Sequence, residues 1–100
     1  MSTVRGTRST SGDGTAVATA TDSKCIEIDW LQLQNLNTTT DVTVILKFGS
    51  TEIYRVLLAA EMGVIPNLPK ELRVSAANDS MYVNLSADID TYYQIAYRLT

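Results

Sequence analysis

From Lys24 to Leu99 the chain alternates apolar and polar residues, and clusters of Gly, Pro, Asn, Asp and Ser interrupt the alternation at short intervals. A period of two is that of a β-strand with one buried face, and it leaves no stripe wide enough for an amphipathic helix. Six segments read as strands: Cys25 to Asn35, Val42 to Phe48, Thr51 to Leu58, Leu72 to Ala76, Met81 to Leu85 and Tyr93 to Leu99. A seventh, shallow alternation over Thr15 to Thr21 fits an edge strand. Short strands separated by tight turns predict an all-β fold, an antiparallel β-sandwich or flattened barrel of six to seven strands. The expected core is Ile26, Ile28, Val42, Val44, Leu46, Val56, Leu72, Val74, Val83, Leu85, Ile95 and Tyr97.

Three local features refine that reading. Ile26, Ile28 and Trp30 share one parity and Leu31 and Leu33 the other, so an extra residue is expected near Trp30–Leu31. Gly49–Ser50 between two strands suits a type II′ hairpin turn. Pro66 and Pro69 exclude a central strand or helix interior between Ala59 and Pro69.

Met1 to Ser23 is different. It is mostly Ser, Thr, Gly and Ala, with Met1 its only residue larger and more apolar than Val. Such a stretch buries too little apolar surface to offset the entropy of ordering it. The chain therefore divides into an extended partner-binding arm, 1–23, and a β-sandwich body, 24–100. Arg5 and Arg8 are expected to pair with carboxylates of the partner, with Thr15 and Val17 adding strand-like pairing. A small body is marginal alone. Ile53 to Leu58 is partly apolar on both faces, so self-association is expected there. Ile53, Arg55 and Leu57 are the interface candidates, with Tyr82 and Tyr92, which alternation leaves outside.

Composition narrows the chemistry. The chain has no His, which removes Ser–His and Cys–His nucleophile pairs and the commonest metal ligand. Cys25 is the only cysteine, so no internal disulfide forms. Glu27 and Asp29 fall on the outer face of a strand. Asp88 and Asp90 flank Ile89 without a glycine-rich calcium loop. No enzyme activity, cofactor or metal is expected. The net charge is −3, and Arg5 and Arg8 against Asp13 leave the first 14 residues at +1. The remaining residues, 15–100, carry −4, which argues against nucleic acid, whose phosphates require clustered Lys and Arg. No apolar run approaches the ~20 residues of a membrane span. Arg5 and Arg8 have no apolar core behind them, so a secretory signal is not expected, and synthesis in a cytoplasm is.

The order of the segments resembles a group of small tailed-bacteriophage virion proteins. The residues that carry it are the Asn-rich turn Asn35–Asn37, the hairpin Gly49–Thr51, the apolar stretch Leu58–Gly63 closing on LAA and Gly, the turn Ser75–Asn78 reading SAAN, and Leu85–Ala87 before a Tyr-rich last strand. The likeness runs over roughly Cys25 to Leu99 and is greatest to capsid decoration, or cement, proteins. It implies a non-enzymatic β-sandwich on the capsid surface, made in the host bacterium, that sits as a homotrimer and bridges subunits of the major capsid protein. Similar sandwiches also occur in head fibres and tail attachments, so the alternative expectation is a head-fibre or tail-associated carbohydrate-binding module. A head–tail adaptor is the third class.

Overall fold

A computed structural model describes residues 1–100. Eight strands and one short helix follow one another: β1 (Ser2–Arg8), β2 (Ala18–Thr19), β3 (Ile26–Asn35), β4 (Val42–Phe48), β5 (Thr51–Leu58), β6 (Gly63–Val64), α1 (Lys70–Arg73), β7 (Ser80–Leu85) and β8 (Thr91–Leu99). They form two four-stranded antiparallel sheets, ordered β1-β8-β3-β6 and β2-β7-β4-β5. The sheets face each other across one apolar core, so the fold is a β-sandwich and not a closed barrel. Alternation does the sorting: Val42, Val44, Leu46 and Phe48 of β4 point inward against Met81, Val83 and Leu85 of β7. Ile26, Ile28, Leu31 and Leu33 of β3 meet them from the other sheet, with Ile95 of β8.

The expected core is mostly present, with four shifts. Val56, Val74 and Tyr97 are half-buried, and Leu72 is 41% exposed. Leu72 falls in α1 instead of a strand, because Pro66 and Pro69 break the segment before it and only Val74 bridges back to Glu27. The hairpin turn behaves as expected. Phe48 pairs with Thr51, and Gly49 alone of the two loop residues takes a positive φ, +58°.

The extra residue in β3 lies slightly earlier than the sequence places it, between Ile28 and Trp30. Both positions reconcile the parity of Ile28 with that of Leu31, but they send Trp30 to opposite faces. Placing Asp29 in the bulge turns Trp30 outward. A second bulge makes Ile53 the unpaired residue of β5, since Leu46 pairs with Tyr54 and Lys47 with Glu52.

The largest correction concerns the first 23 residues. They are not an arm without a core. β1 lies antiparallel along β8 over its whole length, from Ser2 opposite Tyr97 to Arg8 opposite Thr91. Gly12 pairs with Leu85, with its N–H 2.8 Å from the Leu85 carbonyl. Ala18 and Ala20 are buried against the core, and Val4 and Val17 pack on it. Backbone pairing replaces the apolar payload that the side chains lack.

Of the four edge strands, β6 and β2 are two residues long, so the long open edges are those of β1 and β5. The far side of β3 is covered. β6 lies against Leu33 and Gln34, and Ser75 exchanges hydrogen bonds with the backbone of Ile26.

Candidate docking face

Register fixes what the outer face of the β1-β8-β3-β6 sheet displays. Thr3, Ala96 and Trp30 make one cross-strand row, Arg5, Gln94 and Gln32 the next, and Thr7, Tyr92 and Gln34 the third. Rows two residues apart along a strand are about 6.7 Å apart, so Trp30 and Tyr92 stand about 13 Å from each other along the sheet, with amides between them. Trp30 is 38% exposed. The Tyr92 hydroxyl donates to Gln94 Oε1 at 2.9 Å, which holds its ring over the middle row. Arg5 is exposed and makes no ion pair within the chain. The end of the face beyond Trp30 is closed by Arg98, whose Nη2 lies 2.9 Å from both Glu27 and Asp29. The face is therefore aromatic at two points, amide-rich, and carries one free cation.

The other expected arm residues do other work. Arg8 falls on the inward parity of β1. Its guanidinium donates to the carbonyls of Thr10 and Gly12 at 3.0 and 2.9 Å and lies against Gly14, where a Cβ would overlap it. Gly14 also takes φ +63°, so a side chain there is excluded twice over. Arg8 is a clasp for the segment after β1 and is not free to meet a partner. Thr15 is exposed. Val17 donates its N–H to the Met81 carbonyl at 2.8 Å and packs on the core, so it is not available either.

The five interface candidates do not share one surface. Ile53 is only 8% exposed, because the bulge turns it into the core. Arg55 and Leu57 are on the outer side of β5, and Tyr82 stands opposite Lys47 on the same outer face. Tyr92 belongs to the other sheet, on the face described above. Leu57, 66% exposed, is the most open large apolar side chain after Met1.

Asp13 joins the N-terminal segment to the β2-β7-β4-β5 sheet. Its Oδ1 accepts from Asn84 Nδ2 at 2.6 Å, and Lys47 Nζ lies 3.0 Å from Oδ2. The Asn84 amide and then the Lys47 ammonium hold the carboxyl below its ordinary range. Asp88 acts similarly from the opposite direction, accepting the Ser11 N–H at 2.8 Å. Sequence reasoning missed both acids as anchors, as well as Trp30 and the glutamine rows. The parity break at Ile28–Leu31 was the signal for Trp30.

The molecule has no cavity or cleft, and no three His, Cys, Asp or Glu side chains converge. Its one helix is far too short to cross a membrane. Comparison with protein-family models, curated proteins and solved structures finds no match to this chain.

Proposed function

We propose that this chain is a non-enzymatic virion structural protein that decorates and stabilises a bacteriophage capsid, docking on neighbouring major capsid subunits through the outer face of its β1-β8-β3-β6 sheet and associating with further copies of itself. The observation that carries the reading is that face: an unpartnered sheet surface on which Trp30, Tyr92 and the unpaired Arg5 stand among glutamines. Trp, Tyr and Arg are the side chains that dominate binding at protein interfaces, and an unpaired arginine selects an acidic partner surface. The order of turns and strands from Cys25 to Leu99, which resembles the capsid decoration proteins, supports placement on a virion. The N-terminal segment keeps a role in attachment, but through Arg5 held in a strand instead of a free arm.

The test is co-sedimentation with undecorated capsids of the phage that encodes the chain, paired with a glycan array. Arg5→Ala and Trp30→Ala are each expected to weaken capsid binding tenfold or more, about 1.4 kcal/mol, while Tyr82→Ala on the opposite sheet leaves it unchanged. The spacing of Trp30 and Tyr92 with amides between them also suits a sugar chain, whose apolar faces stack on aromatic rings. Saturable glycan binding lost on Trp30→Ala, with no capsid binding, would reassign the face to a carbohydrate-binding module of a fibre or tail. Binding to neither would end the docking reading.

A further inference from the structure

We propose that a second copy of this chain docks along the free edge of β5, antiparallel, about a two-fold axis that passes between Glu52 and Arg55. The proposal rests on the self-association included in the function above and assigns the edge that carries it. Its basis is the bulge at Ile53. In a regular strand, residues three apart point to opposite faces. Here the unpaired Ile53 brings Glu52 and Arg55 to the same outer face, opposite Lys47 and Ile45 of β4. Their side chains already meet within one copy, with Arg55 Nε donating to Glu52 Oε1 at 2.6 Å and Nη2 to Oε2 at 3.0 Å.

An edge that carries an acid and a base on one face, with a two-fold axis midway between them, is complementary to itself. Glu52 of each copy falls opposite Arg55 of the other. The inward-facing Thr51 and Val56 fall opposite each other in the same register, so no side chain is forced to the wrong face. Leu57, 66% exposed on the same outer side, is carried towards the seam. The backbone N–H and C=O groups along the outer edge of β5 have no strand to pair with inside the chain, and an edge of this kind is a template for another strand. β5 has neither a proline nor a lysine, and the two charges it does carry, Glu52 and Arg55, are opposite in sign and so compensate across the seam.

The other open edge does not offer the same match. β1 carries Arg5 and Arg8 and no acid, so antiparallel pairing of two β1 strands gathers positive charge along the seam without compensation. Pairing of β1 on β5 is heterologous, and closes into a ring such as a trimer or runs on as a filament according to the rotation between copies. A β5–β5 contact is isologous and stops at two. An edge of eight residues buries less than the ~1,200 Å² of stable interfaces, so the pairing is expected to be weak in solution and to strengthen where copies are held close together.

The measurement is sedimentation velocity on the full chain at rising concentration, from about 10 μM to about 1 mM. The expected result is a shift from the 11.0 kDa monomer towards twice that mass. Arg55→Glu leaves one copy with two acids on this edge, and Glu52→Arg leaves another with two bases. Each alone is expected to remain monomeric over the same range. An equimolar mixture is expected to form a heterodimer at least tenfold tighter than the wild-type pair. Loss of the contact within one copy does not produce that rescue, so mixing separates the seam from the internal ion pair. If either variant fails to fold, hydrogen exchange on the wild-type chain replaces it, with β5 amides gaining protection at high concentration and other strands unchanged. A wild-type monomer at 1 mM, or a mixture without rescue, overturns the proposal. So does a trimer insensitive to both substitutions, which would leave self-association in place on another surface. Capsid docking is read on Arg5 and Trp30 and fails or stands separately.

Discussion

At the scale of single residues, two polar side chains hold places where the strands alone would not. Asn35, fully buried at the end of β3, donates from Nδ2 to the carbonyls of Thr40 and Leu58 at 2.9 and 3.1 Å and accepts the Asn37 N–H at 2.8 Å. It ties the turn after β3 to the end of β5. Asn35→Ala removes three hydrogen bonds and strands a buried carbonyl, a loss of about 2–4 kcal/mol that a shift in the urea midpoint would register. Asp13 is the second. Its folded-state pKa is lowered by Asn84 and Lys47, so the stability it contributes is present above the unfolded value of about 3.9 and disappears as pH falls through the lower folded value. Thermal melts of wild type and Asp13→Asn should therefore differ at pH 7, begin to approach each other near pH 4 and converge only below the lowered folded value. A gap that persists in acid would assign the effect to packing instead of charge. At this scale the sequence showed the Asn-rich turn but not its hub, because a buried asparagine and an exposed one look alike until the strand ends are placed.

At the scale of elements, the strands of the body were readable because their side chains report burial: each of β3, β4, β7 and β8 has an inward apolar row. β1 was not readable for the complementary reason. Of its inward residues, Val4 packs on the core, while Gly6 leaves space for the Tyr93 ring, where a Cβ would sit 3.0 Å from the hydroxyl. The strand is held by backbone hydrogen bonds, and these leave no pattern in a sequence. The same limit displaced Trp30. The parity break was visible, but whether the extra residue was Asp29 or Trp30 depended on which side chain the facing sheet had room for. Two consequences belong here. Gly6→Ala is compatible with the strand but crowds Tyr93, and is expected to cost about 1 kcal/mol, read as a lowered melting temperature. Deleting residues 2–8 removes β1 and leaves β8 as an unprotected edge, so the shortened chain is expected to self-associate non-specifically, measured by light scattering.

At the scale of the molecule, the N-terminal segment wraps the sandwich, from β1 on one sheet through Gly12 and Asp13 to Ala18 and Ala20 under the other. A chain reaching from sheet to sheet is part of the folded unit. Removing residues 2–20 is therefore expected to destabilise the body by on the order of 3 kcal/mol from lost apolar burial alone, where a free arm would leave its melting temperature unchanged. The wrapping also fixes the functional proposal, since it sets Arg5 in the middle row of the docking face instead of at the end of a tether. The most direct test needs no partner: nuclear magnetic resonance of the isolated chain at low concentration. The account predicts cross-strand Overhauser contacts from Thr3 to Ala96 and from Arg5 to Gln94, with alternate amides between Thr3 and Thr7 protected from exchange. Random-coil shifts and unprotected amides throughout Ser2 to Arg8 would contradict it and return those residues to a free arm.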